Sequence, residues 1–318
     1  MKKFCGRFFA GALIIILSVG SVSAATLVPG GQVIGLQLED DTVTVVGFHE
    51  ELGDRAKAAG LLSGDRLLSV DGIPVQSVED VRQALETSDG SVEISFMRSG
   101  KTKHLKFAPA TTSQGPKLGV YLRQGTTGLG TVTFYDPNSG EYGALGHGVN
   151  SPDGGLLRLH SGSVYEAAVF SVKKGTVGVP GQLLGQLTKS LSVGTVEKNT
   201  AQGVFGKLSS KIKDEPLPVG DATVGSAAIR STVGDEGLRE YSVEILKIYP
   251  NSKDRTRNLL LKITDEELLT QTGGIVQGMS GSPIIQDGKL VGAVTHVLVN
   301  DPTTGYGIFI ENMLDAAA

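Results

Sequence analysis

Apolar and polar positions alternate in short runs along the first third of the chain. The clearest runs are 43–48 (VTVVGF), 66–70 (RLLSV) and 92–96 (VEISF). Alternation with a period of two residues is typical of strands with one buried face. The pattern therefore predicts at least three short strands in this part of the chain.

One segment among these runs has helical spacing instead. Val78, Val81 and Leu85 recur at intervals of three and four residues, so they share one face of a helix. Ser77 precedes them and is a residue type that caps helix N-termini through its side chain. The sequence predicts a helix that begins after Ser77 and packs its apolar face against the strands.

The remaining chain is nearly all short runs separated by turn residues, which favours a mainly β fold, a sandwich or barrel, over a parallel sheet. The segment 109–116 (PATTSQGP) lacks apolar periodicity and reads as a linker. We therefore predict three parts after the N-terminal segment 1–24: a unit at 25–108, a linker at 109–116 and a β-rich domain at 117–318.

The N-terminal segment has the layout of an export signal. Lys2, Lys3 and Arg7 precede an apolar run at 8–19, and small residues follow up to Ala24. The run is shorter than the roughly 20 residues that span a bilayer. Cleavage after Ala24 and retention as a membrane anchor both remain open, and either one exports the rest of the chain.

Composition narrows the function classes. The chain has 318 residues, 44 glycines and a net charge of −4, so no strong basic excess indicates a nucleic-acid partner. Its single cysteine, Cys5, lies within the export segment. The mature chain is expected to form no internal disulfide and no thiolate metal site.

The stretch 58–85 (AAGLLSGDRLLSVDGIPVQSVEDVRQAL) resembles PDZ domains of secreted bacterial proteases. PDZ domains bind a peptide as an added strand, with the terminal carboxylate held by a preceding loop. That loop is predicted at 30–36. The predicted groove residues lie on two sides, with Val81 and Leu85 either lining the groove or filling the core; they are Ile34, Gly35, Leu36, Leu38, Val81 and Leu85.

The segment 278–283 (GMSGSP) has the shape of the Gly-Asp-Ser-Gly-(Gly/Ser)-Pro loop of trypsin-like proteases. In this alignment Ser280 is the nucleophile, and the amides of Gly278 and Ser280 form an oxyanion hole. Ser282 is the weaker candidate. The competing interpretation is a glycine-rich turn that leads into a hairpin at Asp287.

A serine nucleophile needs a base, and the chain has five histidines. His147 lies between two glycines after a predicted strand, a position that can present the ring at a strand end. His160 reads as a surface residue, and His296 as a packed or hydrogen-bonded strand residue. His147 is the predicted base.

Spacing alone does not select the acid that would orient His147. Asp265 reads as part of a capping box at a short helix, with Thr264 and Glu267, and Asp301 as a turn former. The aspartates between His147 and Ser280 are Asp153, Asp214, Asp221, Asp235, Asp254 and Asp265.

Three longer segments, 133–149, 173–185 and 259–314, together closely resemble the stage IV sporulation protein B (SpoIVB-type) family of PDZ-containing serine peptidases of endospore-forming bacteria. The resemblance implies a PDZ domain followed by a trypsin-like, barrel-type peptidase domain. It also implies that His147 is the base, Ser280 the nucleophile and Asp265 the acid, because the family's acid lies fifteen residues before its serine (280 − 265 = 15).

The same resemblance implies an exported signalling endopeptidase. Its substrates would be itself and a membrane-bound inhibitor of an intramembrane protease, in the space between forespore and mother cell, so that a late sigma factor is activated. A peptide C-terminus or the chain's own segment would occupy the PDZ groove, with no metal or organic cofactor required. A non-catalytic exported PDZ adaptor is the alternative.

Overall fold

The structure, a computed structural model, describes residues 25–151, 154–235 and 237–318. The predicted export signal at 1–24 lies outside the described residues. Within the three described ranges, no helix combines the length and apolar character needed to cross a membrane.

The first elements include a small α+β unit. In chain order they are β1 (Thr26–Pro29), β2 (Val33–Phe48), α1 (Asp54–Ala59), β3 (Arg66–Val70), β4 (Ile73–Pro74), α2 (Val78–Glu86), β5 (Val92–Arg98), β6 (Lys101–Phe107), β7 (Ala110–Thr112), β8 (Gly115–Lys117) and β9 (Val120–Tyr135). The α+β unit begins within β2 and ends within β9. Helix α2 begins where the sequence predicted. The Ser77 hydroxyl accepts from the Asp80 amide at 3.0 Å, and the Asp80 carboxylate accepts from the Ser77 amide. Val81 and Leu85 then pack into the core of this unit.

Strands β2 and β9 run through two parts of the molecule. The second half of β2 and the beginning of β9 pair within the α+β unit, from Val43 opposite Gln124 to Phe48 opposite Val120. The first part of β2 and the later part of β9 pair in a separate barrel, for example Leu38 opposite Thr126. The α+β unit is thus inserted between two strands of that barrel, and its placement is fixed by a shared two-stranded ribbon.

The ribbon changes direction at Gly125, which has a φ of +70°. A Cβ atom at this position would lie 1.8 Å from the carbonyl oxygen of Leu38. Only glycine tolerates both the left-handed backbone and that approach. Gly125 therefore marks the junction between the α+β unit and the barrel.

The first barrel adds β10 (Glu141–Ala144), β11 (Leu159–Lys173), β12 (Gln182–Leu187), β13 (Gly194–Thr200), β14 (Gly203–Leu208) and β15 (Leu217–Pro218). Antiparallel pairings close a ring in the order β2, β9, β10, β14, β13, β11 and back to β2. Its core includes Leu36, Leu38, Val132 and Val164.

The second barrel follows with β16 (Gly225–Thr232), β17 (Leu238–Ile248), β18 (Leu259–Ile263), α3 (Glu266–Thr272), β19 (Pro283–Gln286), β20 (Lys289–Leu298), β21 (Asp301–Phe309) and α4 (Ile310–Ala317). Six strands close in the order β16, β17, β18, β21, β20 and β19. Ile229, Leu261 and Ile284 are buried in its core. The predicted fold class, mainly β with a PDZ domain ahead of a barrel-type β-rich domain, is confirmed.

The predicted start of the PDZ unit at residue 25 requires correction. β1 pairs with β9 and β15, and the first half of β2 pairs with β11 in the first barrel. Residues 26–38 therefore contribute to the barrel, whereas the core of the inserted unit begins at Val43. Alternation in the sequence predicts a strand but not which partner strand it pairs with.

The predicted linker at 109–116 also has a different structure. Its residues form the hairpin of β7 and β8, in which Ala110 pairs with Lys117 and Thr112 with Gly115. The hairpin packs beside α2. Strands of three residues are too short to show apolar periodicity in the sequence, so the composition of this segment suggested a linker.

The second barrel's packing predicts a clear difference between two leucines. Leu261 is fully buried, whereas Leu246 in β17 is 38% exposed. Leu261→Ala should lower the free energy of unfolding by about 2–5 kcal/mol because it leaves a cavity. Leu246→Ala should cost less than about 1 kcal/mol. Urea unfolding followed by circular dichroism measures both, and equal losses would contradict the burial of Leu261.

Candidate active site

One cleft of about 1050 Å³ is lined by residues of both barrels. The first barrel contributes His147, and the second contributes Ser280, Thr295 and His296. Asp254, from the turn before β18, also lines the cleft. The structure therefore brings the predicted nucleophile and the predicted base into the same cleft.

His147 follows β10 through a tight turn. Gly146 has a φ of +68°, and a Cβ atom there would lie 2.8 Å from Cγ2 of Thr295 in the other barrel. The turn can therefore approach the second barrel only with glycine at position 146. Nδ1 of His147 lies 2.9 Å from the carbonyl oxygen of Gly148. Burial lowers the pKa of His147, and the contact with Gly148 opposes that shift only in part.

The Ser280 loop is held by strand β9 of the first barrel. The Thr131 hydroxyl donates to the Gly278 carbonyl at 2.7 Å, and the Thr131 amide donates to the Ser280 carbonyl at 3.2 Å. The Thr133 hydroxyl donates to the Gly281 carbonyl at 2.8 Å. These bonds cross from one barrel to the other and fix the loop that carries the serine.

The Ser280 hydroxyl itself donates to the carbonyl oxygen of Thr295 at 2.8 Å. It is therefore not hydrogen-bonded to His147 in this structure. Catalytic hydrogen bonds are often absent or long in peptidases without bound substrate. The two side chains share a cleft, and their direct bond requires a change in the serine's side-chain torsion.

The predicted oxyanion donors have an open arrangement. Gly278 has a φ of +101°, which turns the chain just before Ser280. Within the described part of the chain, the amides of Gly278 and Ser280 have no hydrogen-bond acceptor. Their role as oxyanion hole stays a prediction, and both N–H groups are available for it.

Ser282 lies in the protein interior, away from the cleft. It is fully buried, and its hydroxyl donates to the hydroxyl of Ser231 at 3.1 Å. A nucleophile must reach substrate in the cleft, which Ser282 does not line. This agrees with its ranking below Ser280.

Asp265 does not reach His147. It is the N-cap of α3, where Oδ1 accepts from the Leu268 amide at 2.9 Å and Oδ2 from the Ser242 amide at 3.3 Å. It does not line the cleft. The role of orienting acid predicted for Asp265 is therefore corrected to that of a helix cap, since both carboxylate oxygens bond backbone amides.

The alternative acid, Asp301, is a turn residue. Its carboxylate accepts from the hydroxyls of Thr303 and Thr304, both at 2.7 Å. It too lies outside the set of residues that line the cleft. The sequence interpretation of Asp301 as a turn former agrees with these contacts.

His296 also lines the cleft, a position that the sequence did not indicate. The His296 ring lies 5.3 Å from the His147 ring, centroid to centroid. Its Nδ1 is buried and has no hydrogen-bond partner among the described residues. Burial and the nearby charges of His147 and Arg257 lower the pKa of His296 to about 4, whereas Asp254 acts in the opposite direction.

The predicted peptide groove of the PDZ unit requires a second correction. Leu36 and Leu38 are buried in the first barrel, and Ile34 and Gly35 pair there with β9 and β11. The strand beside α2 is instead the start of β9. A groove of about 550 Å³ lies there, lined by α2 and by the chain leading into β9; it includes Val81, Leu85, Leu118, Gly119, Val120, Tyr121 and Leu122.

A sequence signal for this groove was present. The segment 117–122 (KLGVYL) has a glycine, Gly119, at a φ of +74° directly before a strand. That is the arrangement a carboxylate-binding loop needs, because successive amides then point to one side. Val81 and Leu85 pack in the core of the unit and also line this groove, and the strand opposite them is β9.

Comparison with known sequences identifies the family. The profile of the SpoIVB peptidase S55 family matches residues 114–314, and that of a PDZ domain matches residues 55–97. The chain belongs to the SpoIVB peptidase S55 family. The two matches together place a PDZ domain and a peptidase-family domain in one chain.

Individual relatives match smaller parts. A putative zinc metalloprotease of Rhizobium meliloti (strain 1021) is 35% identical over 77 residues, which is 24% of this chain and 21% of that protein's length. Among solved structures, the PDZ domain of an SdrC-like protein from Listeria monocytogenes is 21% identical, with a TM-score of 0.22, and the match covers 26% of this chain and 87% of that one.

The active form of the Rv3671c protease of M. tuberculosis is 15% identical with a TM-score of 0.33, and the match covers 74% of this chain and 82% of that one. Its inactive form gives 14% identity and a TM-score of 0.36 over 60% and 84% of the two chains. At these values no residue role transfers from those proteins to this chain.

The close approach at Gly281 yields a prediction. A Cβ atom there would lie 2.1 Å from the Thr131 carbonyl oxygen, so Gly281→Ala must separate the serine loop from β9. We expect it to slow labelling of the enzyme by a fluorophosphonate about 100-fold, the cost of misplacing a reacting group by about 1 Å.

Gly288→Ala is the matched control. Gly288 has a comparable left-handed φ of +72° and no atom within 4 Å of the added Cβ. The Gly288→Ala variant has the same kind of backbone strain but no steric clash, so its labelling rate should stay within about threefold of wild type. Equal slowing of both variants would show that strain alone, and not the contact with β9, is responsible.

Proposed function

We propose that this member of the SpoIVB peptidase S55 family cleaves peptide bonds with Ser280 as nucleophile and His147 as general base. The observation that carries the proposal is the meeting of both side chains in one cleft beside two unoccupied amides, those of Gly278 and Ser280. Nucleophile, base and oxyanion donors are the three components that acyl transfer requires.

In the first half of the reaction, His147 takes the proton of the Ser280 hydroxyl while Oγ attacks the scissile carbonyl carbon. The carbonyl oxygen becomes an oxyanion and accepts from the Gly278 and Ser280 amides. His147 then gives its proton to the leaving amine, and an ester to Ser280 remains. Removal of one such oxyanion donor typically costs about 10²–10³ in rate.

In the second half, water attacks the ester with His147 again as base. The acid product leaves, and the proton returns to Ser280. Before either half, the hydroxyl must leave the Thr295 carbonyl, to which it donates at 2.8 Å. A substrate strand that bonds to the Thr295 carbonyl would displace the hydroxyl, so substrate binding itself can prepare the nucleophile.

We further propose the regulatory role that the family resemblance implies. The substrates are the chain itself and a membrane-bound inhibitor of an intramembrane protease, and cleavage leads to activation of a late sigma factor during sporulation. The basic and apolar N-terminal segment, with Lys2, Lys3 and Arg7 before 8–19, supports export or anchoring at the membrane. A peptide terminus, or a segment of this chain, would bind beside α2 as an added strand.

Ser280→Ala tests the nucleophile. It should abolish labelling by a fluorophosphonate, because the reagent reacts only with an activated hydroxyl. Ser282→Ala removes a hydroxyl two residues away that is buried against Ser231, and it should retain labelling. Labelling that survives in Ser280→Ala would contradict the proposal, and the absence of any labelling of the wild type would favour the adaptor alternative.

The pH dependence tests the base. His147 acts only when neutral, and burial holds its pKa below the ordinary value of 6.5. Activity should therefore persist as the pH falls through 6.5 and decline only at lower pH. The measurement is the rate of peptide cleavage from about pH 4 to pH 8, at saturating and subsaturating substrate. It locates the acid limb, the pH range in which activity declines. A limb centred above the ordinary histidine value would argue against a buried His147 as base.

A further inference from the structure

In the described part of the chain, the proposed base His147 faces a backbone carbonyl where a Ser-His-Asp arrangement has a carboxylate. Among the described residues, no carboxylate oxygen lies within 4 Å of a His147 ring nitrogen. Its Nδ1 faces the adjacent Gly148 carbonyl, and Asp265 is bound to backbone amides. The neutral Gly148 carbonyl stabilises the cationic form of His147 less than a carboxylate would.

The neighbour that His147 does have is His296. The rings are 5.3 Å apart between centroids and inclined by 38°. Nδ1 of His296 is buried and unpartnered, although a buried ring nitrogen without a hydrogen bond costs about as much as a lost hydrogen bond. An unused acceptor of this kind beside a catalytic base is a candidate for function.

The groups around His296 keep it neutral. His147 packs against it from the turn after β10, and Tyr306 is its pairing partner in β21. Arg257, from the turn before β18, lies 5.4 Å above the Tyr306 ring, and Asp254 of the same turn pairs with Arg257 at 3.2 Å. Burial, His147 and Arg257 thus act against protonation of His296, whereas Asp254 favours it.

We propose that His296 is the positioning residue for His147, accepting the second ring N–H of the base through its free Nδ1 while His147 carries the proton of Ser280. This inference rests on the proposed function. No proton passes to His296. The Nδ1–H of His147 turns from the Gly148 carbonyl to the neighbouring ring, which fixes the tautomer that leaves Nε2 free to act on the serine.

A neutral acceptor stabilises the imidazolium less than a carboxylate does, but substitution of His296 should still change the rate and its pH dependence. Removing the acceptor while keeping an aromatic ring, as in His296→Phe, should lower the second-order rate of fluorophosphonate labelling about 10–100-fold. It should also move the acid limb of that rate to lower pH, because the cationic form of His147 loses its partner.

His296→Asn is the matched variant, because its side-chain amide can place an acceptor near the position of Nδ1. It should recover most of the lost rate and return the acid limb towards that of wild type. Asp265→Asn is the second comparison. It should weaken the cap of α3 and leave the limb unmoved, since Asp265 does not contact His147.

The experiment uses the full chain, with circular dichroism and thermal unfolding to verify that each variant is folded. An unchanged rate and limb in His296→Phe would overturn the inference. So would equal losses in the Phe and Asn variants with an unmoved limb, because that result describes a packing role. Wild-type labelling that is absent, or that survives in Ser280→Ala, would instead defeat the proposed function itself.

Discussion

The hydrogen bonds from strand β9 to the serine loop are the interaction on which the site depends. Thr131 and Thr133 donate to carbonyls on both sides of Ser280, and Thr131 also accepts from the Leu145 amide just before His147. One short segment of β9 therefore fixes both the Ser280 loop and the turn that carries His147. Thr131 and Thr133 are fully buried, so water does not compete for these bonds.

The same strand connects the site to the PDZ unit. β9 begins beside α2, where Val120 and Leu122 line the groove, and it continues without interruption to Thr131 and beyond. The eleven residues from Tyr121 to Thr131 span at most roughly 30 Å at the rise of a β-strand, since the ribbon changes direction at Gly125. A peptide bound in the groove thus contacts a strand whose far end holds the serine loop. The two units share backbone, and their relation does not rely on a flexible connection.

Local signals predicted local features well. The Ser77 cap, the turn at His147 and the serine loop each depend on a few consecutive residues, and each was readable from them. Pairing was not readable, because Leu36 and Leu38 alternate equally well in a PDZ sheet and in a barrel sheet. The pattern gives the buried face of a strand, whereas only the fold decides against which core that face packs.

Asp265 and His296 illustrate the same limit of sequence-based prediction in the active site. Asp265 had both a capping signal and a family-implied catalytic role, and the structure satisfies the capping signal with both carboxylate oxygens. His296 had no distinguishing neighbours in the sequence, since a strand histidine usually packs or bonds within its sheet. Its unpartnered Nδ1 becomes evident only when the opposite barrel brings His147 to it.

A β-bulge in β20 explains how one strand contacts both Ser280 and His147. The pairing with β21 shifts register between Val294 and His296, so Thr295 is the extra residue of the bulge. Its hydroxyl donates to the Thr256 carbonyl at 2.8 Å and lies 3.2 Å from the Tyr306 carbonyl, while its own carbonyl accepts from Ser280. A regular ladder would direct that carbonyl to β21. The bulge thus leaves the Thr295 carbonyl open to the cleft and turns the next residue, His296, towards His147.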